Sequence, residues 1–295
     1  DDYPPQVVNH HKVPRHTYGP GEKVVLRNGG VLEQVEQTWT YLWSEMPGML
    51  FSDSCINEWG VTVTSDNCPS REDRPDIADG GIGWMLRRLI AQRARTARQG
   101  VLLAGRLVER FGYIASGRTY IIADPNEGWL FCVVQGKRWL ARRVPDDEVA
   151  MVANTYTIRQ VDLSDPDNFL ASEDIVTYAT QRDWYDPQED GPFDFAAVYA
   201  HPDSASHPDN AGRQWSGLKY IAREPIEPGF DLPFSVVPQH KLNVTDLMEI
   251  LRHDETNASD SSTSPSGFGC ALCSGATQTS FVAQLRNNRS EEHTS

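Results

Sequence analysis

The 295-residue chain has no apolar run that approaches a membrane span: the longest, Trp129 to Val134, is strand-sized, whereas a spanning helix needs roughly 20 apolar residues. No membrane partner is therefore expected. Positive charge is also short. With 27 Lys and Arg against 41 Asp and Glu, the formal net charge is −14, so the chain has no overall basic surplus of the kind a phosphate backbone attracts. Nucleic acid is thereby excluded as an expected partner. Cysteine is sparse and scattered (Cys55, Cys68, Cys132, Cys270, Cys273), which argues against a disulfide scaffold and suits a reducing compartment. The expected location is cytoplasmic. A secreted or periplasmic placement stays open, because the chain opens on Asp1 rather than Met and a leader cannot be read. Glycine-rich phosphate loops, a Gly-x-Ser-x-Gly elbow and a His-Glu-x-x-His pair are missing, so the common kinase, serine hydrolase and metalloprotease readings have no anchor. There is no internal repeat.

What is present is a hydrophobic fraction of 39%, enough for a core. Residues Glu22 to Arg27, Thr38 to Ser44 and Val61 to Asn67 are rich in β-branched and aromatic side chains between Gly and Pro punctuation and predict strands. In the last of these, period two puts Val61, Val63 and Ser65 on one face with Asn67 at its end. After Asp79-Gly80-Gly81, apolar residues from Ile82 to Ile90 fall at helical spacing opposite Arg87, Arg88, Arg95 and Arg98, the ordinary pattern of a solvated arginine face. Gly100 is expected to cap this helix, and a second one runs from Val101 to Gly112. Strands are predicted again over Arg118 to Asp124, Gly128 to Val134, Arg138 to Val144 and Glu148 to Ala153, and these are assigned to a second sheet. Short helices follow near Glu173 to Arg182, Arg213 to Ala222 and Val244 to Arg252. The Ser- and Asp-rich stretch 254–267 predicts a mobile loop, and Gln278 to Arg286 one returning strand.

Several longer segments carry a resemblance. Tyr41-Leu42-Trp43-Ser44-Glu45-Met46-Pro47-Gly48, Ile56-Asn57-Glu58-Trp59-Gly60-Val61, Gly117-Arg118-Thr119-Tyr120, Ala123-Asp124-Pro125-Asn126-Glu127 and Arg143-Val144-Pro145-Asp146-Asp147-Glu148-Val149 together resemble the bacterial dipeptidase A family, whose eukaryotic relatives are the secernins. The resemblance runs from about Asp1 to Arg286. It implies an α+β fold, the αββα sandwich of N-terminal-nucleophile hydrolases with two antiparallel sheets between helical layers, here with extra C-terminal helices. It also implies one domain over residues 1–288, comprising a sheet and helical-hairpin core (1–164), a helical part (165–253), the loop and the returning strand.

The chemistry implied is dipeptide hydrolysis by a cysteine at the mature N-terminus, with no metal or cofactor: its thiolate attacks, its own α-amine relays protons, and side-chain amides hold the oxyanion. Asp2, ahead of Tyr3-Pro4-Pro5, matches the family's Asp, which places the nucleophile upstream of Asp1. The expectation is thus a chain cut at both ends and inactive alone, with 289–295 an adapter-derived tail. Asn67, ten residues after Asn57, resembles the oxyanion asparagine of bile-salt and penicillin hydrolases, and Asn154 their second active-site asparagine. The plain alternatives are a turn asparagine and a strand-end asparagine. Asp53, Glu58 and Asp124 are unranked carboxylates for a substrate amine, and the family's cationic residue has no assignment. Two other readings are a non-catalytic secernin-like interaction protein and a zinc hydrolase built on Cys270-x-x-Cys273. The latter would need Cys55, Cys68 or His10, His11 and His16 to complete the site. Dipeptides are the expected substrates, and homo-oligomerisation is left open.

Overall fold

In a computed structural model the described residues are 9–45, 54–253, 272 and 280–287. The N-terminal strands are short: β1 (His10–Val13), β2 (His16–Thr17), β3 (Lys23–Val25), β4 (Val31–Glu33), β5 (Gln37–Thr38), β6 (Tyr41–Ser44), β7 (Cys55–Asn57) and β8 (Thr62–Asn67). A helical pair, α1 (Met85–Arg93) and α2 (Ala97–Phe111), leads into the long strands β9 (Tyr113–Ala123), β10 (Gly128–Gly136) and β11 (Trp139–Val144). Then come β12 (Val149–Ala150), β13 (Phe169–Ala171), α3 (Ile175–Gln181), α4 (Phe195–Tyr199), α5 (Pro202–Ala205), α6 (Pro208–Ile221), β14 (Ser235–Val236) and α7 (Val244–Leu251).

The chain has an α+β fold organised on a large antiparallel sheet, but its strands divide differently from the expectation. One eight-stranded sheet, in the order β1-β6-β7-β8-β9-β10-β11-β13, takes in the strands assigned above to two sheets. The other pairs among the described residues are the two-stranded ladders β2-β5, β3-β4 and β12-β14. The physical reason is the return path of the helical pair. It brings β9 back antiparallel beside β8, with Thr62 opposite Ala123 and Asn67 opposite Arg118, and the unpaired edge of β8 is thereby satisfied.

Layering follows from period two on the central strand. Trp129, Phe131 and Val133 of β10 join one core with Leu86, Leu89 and Ile90 of α1 and Val101, Val108 and Phe111 of α2. Leu130, Cys132 and Val134 point the other way, into a second core with Tyr156, Ile158, Ile175, Phe195 and Tyr199. Both faces of β10 are buried, which explains why Trp129 to Val134 reads as a continuous apolar run rather than an alternating one. Each such fully buried side chain contributes about 1.5–3 kcal/mol.

Several local expectations change. The first helix ends at Arg93, and Thr96 caps the second by accepting from the Gln99 N–H at 3.2 Å, so Gly100 lies inside α2 rather than ending α1. Its lack of a side chain serves close packing: a Cβ there would press within 3.0 Å of Ile90 and Ile122. Gly112 does stop α2, at φ 76 with its N–H on the Val108 carbonyl. Arg87 is not on a solvated face. It is buried among the largest core side chains, hydrogen-bonded to the Ser65 hydroxyl and 6.0 Å from the Tyr120 ring centroid. Glu148 to Ala153 contributes only β12, which leaves the main sheet to pair with β14. Residues 280–287 form no strand; the rest of the predicted returning strand, the loop 254–267 and the tail 289–295 lie outside the described residues.

Candidate functional site

Asn67 and Asn154, 87 positions apart in the chain, meet. The Asn154 side-chain Nδ2 donates to the Asn67 backbone carbonyl at 2.9 Å. Asn67 ends β8 and is exposed, while β9 and β10 continue past it; Asn154 lies in the segment after the short β12. Asp2 lies outside the described residues, as do Asp53, Cys270 and Cys273.

Cys68 holds the two segments together. Its buried Sγ–H approaches the carbonyls of Ala153 at 3.5 Å and Thr155 at 3.4 Å, one on each side of Asn154. Burial pushes this thiol up to about 12, and it pushes Cys132 up as well. Because the thiolate is the nucleophilic form, neither cysteine is an attacking group. Both are expected to stay unmodified by iodoacetamide at pH 8 in the folded protein and to react only after denaturation. Peptide mass spectrometry of the two states reads this directly, and labelling of Cys68 under native conditions would contradict the burial. Glycine at 117 is required in the same seam: its φ is 141, and a Cβ would run into the Tyr156 hydroxyl and the Cys68 carbonyl.

The loop bearing Asn154 is fixed mainly by α5 and α6. The Ser204 hydroxyl donates to the Asn154 backbone carbonyl at 2.6 Å and the Asn210 side-chain amide donates to it at 3.2 Å. Arg213 Nη2 donates to Asn154 Oδ1 at 2.9 Å and to Asn210 Oδ1 at 2.8 Å, while its Nε reaches Asp209 Oδ2 at 2.9 Å. A guanidinium only donates, so this contact determines which end of the Asn154 amide is oxygen. Its Nδ2 keeps one N–H beyond the bond to Asn67, with no partner among the described residues. The Asn67 side-chain amide is likewise uncommitted. The Asn154 amide and the Arg213 guanidinium thus stand side by side at the end of β8, a donor-rich arrangement fit to receive negative charge.

Arg213 is a cation in direct contact with Asn154. The sequence pattern starts its helix near Arg213, whereas α6 begins at Pro208. The signal was available: Pro at the first helical position and Asp209 in the first turn mark a helix start. That start puts Asp209 and Arg213 at i, i+4 on one face. The helix is seated by Trp215 and Leu218, which pack with Leu232 and Met151.

Other carboxylates are engaged elsewhere. Glu58 accepts from Arg15 Nη2 at 2.6 Å and from the Thr40 N–H at 2.9 Å. Asp124 is buried and accepts from the N–H groups of Ala97 (2.6 Å), Asn126 (2.7 Å) and Glu127 (3.1 Å), closing a turn onto the start of α2. Both act structurally. Among the described residues no group of three His, Cys, Asp or Glu side chains is placed to hold a metal ion, and no helix is long and apolar enough to cross a membrane.

Residues 62–295 match the model of peptidase family C69. A probable dipeptidase of Latilactobacillus sakei is 29% identical over 248 residues, covering 79% of this chain and 51% of that protein. A probable dipeptidase A of Streptococcus pyogenes is 26% identical over 220 residues, covering 68% of this chain and 44% of that protein. The chain therefore spans about half the length, or less, of these curated relatives. Among solved structures, penicillin V acylase from Agrobacterium tumefaciens aligns with a TM-score of 0.35 at 13% identity, covering 48% of this chain and 43% of that one.

Proposed function

The chain belongs to peptidase family C69, and from that premise we propose that the whole protein is a cysteine-type dipeptidase of the N-terminal-nucleophile class. The observation that carries the proposal is the Asn154 to Asn67 pairing, which leaves one Asn154 amide N–H uncommitted among the described residues, beside Arg213.

In this reading an N-terminal cysteine, upstream of Asp1, attacks the carbonyl carbon of a dipeptide. Its α-amine takes the thiol proton and passes it to the leaving amine, and Asp2 orients that amine. The oxyanion that forms accepts from the Asn67 side-chain amide and from the spare Asn154 N–H, the latter fixed by Arg213 and the Asn67 carbonyl before the charge develops. Water then releases the acyl group. The described internal cysteines do not fit the nucleophile's role, since Cys55, Cys68 and Cys132 are all buried.

The test is amino-acid release from alanyl-alanine by the full-length protein, measured with and without iodoacetamide and with and without a chelator. Activity abolished by the alkylator and untouched by the chelator is expected. Turnover that survives alkylation overturns the cysteine mechanism, and loss with the chelator favours a metal enzyme.

A further inference from the structure

We propose that Arg213 binds the free C-terminal carboxylate of the substrate and so selects dipeptides over longer peptides; this rests on the dipeptidase reading above. The guanidinium carries five N–H donors in a planar fork. Three are committed: Nε to Asp209, and the two of Nη2 to Asn154 and Asn210. The two on Nη1 have no hydrogen-bond partner among the described residues, and the side chain is 28% exposed. Solvent and a small ligand can therefore reach that edge, while the other edge is held rigid by three acceptors.

Spacing favours a carboxylate one residue away from the reacting carbonyl. Arg213 Nη2 bonds Asn154 Oδ1 at 2.9 Å, so the guanidinium and the donor amide are neighbouring groups. In a dipeptide, the scissile carbonyl and the terminal carboxylate are one residue apart, about 3.5 Å along an extended chain. A longer peptide would put a neutral amide where the carboxylate belongs, leaving the guanidinium edge desolvated without an anion. Asp209 sits on the far edge through Nε, where it fixes the fork in place without occupying Nη1. Charge-assisted contact of guanidinium with carboxylate is the strongest class of side-chain hydrogen bond available for this discrimination.

Calorimetric titration with alanyl-alanine and with alanyl-alanine amide, on the full-length protein carrying alanine in place of its N-terminal cysteine so that neither ligand is hydrolysed, tests the assignment, with Arg213 wild type or varied in that background. The wild-type protein is expected to bind the free acid at least about 10-fold more tightly than the amide, in line with a charge-assisted bond. In Arg213→Gln, which keeps a side-chain amide donor, that preference should fall to less than about twofold. Arg213→Lys, which keeps the charge without the fork, should retain part of it. An acid-to-amide ratio equal in wild type and Arg213→Gln overturns the proposal, as does absence of measurable binding of either ligand to the folded wild-type protein. Thermal melting of each variant separates misfolding from lost recognition. Failure of the dipeptidase reading shows separately, as absence of amino-acid release by the full-length protein.

Discussion

Asn154→Ala in the full-length enzyme lowers kcat for dipeptides about 10²–10³-fold, the usual effect of deleting one oxyanion donor from a preorganised site. The expectation rests on how tightly the residue is held. Its backbone carbonyl accepts from Ser204 and Asn210, its Oδ1 accepts from Arg213, and its Nδ2 bridges to Asn67. A side chain fixed at every heavy polar atom does not reorganise when charge develops, so its remaining N–H acts mainly in the transition state. Such a donor shows in kcat and kcat/KM equally, with KM little changed. A structural asparagine would behave otherwise: the variant would lose melting temperature and active fraction together, and kcat per folded molecule would stay near wild type. Steady-state kinetics normalised to active-site titre distinguish these outcomes. An unchanged normalised kcat would remove Asn154 from the chemistry.

Glu72→Ala is expected to destabilise the fold by about 3–5 kcal/mol, the range for breaking a buried ion pair from one side. The Glu72 carboxylate is 1% exposed and pairs with Arg182 Nη1 at 2.6 Å. It also accepts from the Tyr178 hydroxyl at 2.6 Å and the Arg74 N–H at 2.7 Å. Removing it leaves a phenol and a backbone N–H without their acceptor, while Arg182 keeps Asp73, so the lower end of the range is the better expectation. The location matters for the site. Residues 69–74 continue the chain from Asn67, and they are stitched to the start of α5 by Arg71 N–H to the Tyr199 carbonyl and His201 N–H to the Pro69 carbonyl, both at 2.9 Å. The Glu72 cluster pins this segment to α3. Urea denaturation of Glu72→Ala and Glu72→Gln measures the effect; a shift below about 1 kcal/mol would place the pair among the weak surface bridges.

Much of the architecture was legible in local chemistry. Alternation from Val61 to Asn67 gave the strand and put Asn67 at its end, and Gly112 marked the stop of α2. Two of the family-like segments carry hydrogen-bonded turns. Asn57 is buried, with Nδ2 donating to the Ala91 and Ala94 carbonyls and Oδ1 accepting from the Trp59 and Val61 N–H groups. Asp124 likewise closes a turn. These residues build the frame around the candidate site rather than the site itself. What the sequence could not disclose was long-range: that β9 pairs with β8 across the helical pair, that Arg87 is drawn into the core by Ser65, and that α6 delivers Arg213 to a loop 59 positions earlier. Periodicity reports which face of an element is apolar, and it carries no information on which element covers that face.

The most direct measurement is covalent trapping. The full-length protein is treated with alanine chloromethyl ketone, whose ketone stands where the scissile carbonyl of a dipeptide would be, and the modified residue is located by peptide mass spectrometry. The account predicts a single adduct on a cysteine at the mature N-terminus, upstream of Asp2, formed in proportion to lost activity and blocked by excess dipeptide. Stoichiometric labelling of Cys55, Cys68 or Cys132 instead, or full inactivation without any cysteine adduct, would contradict it.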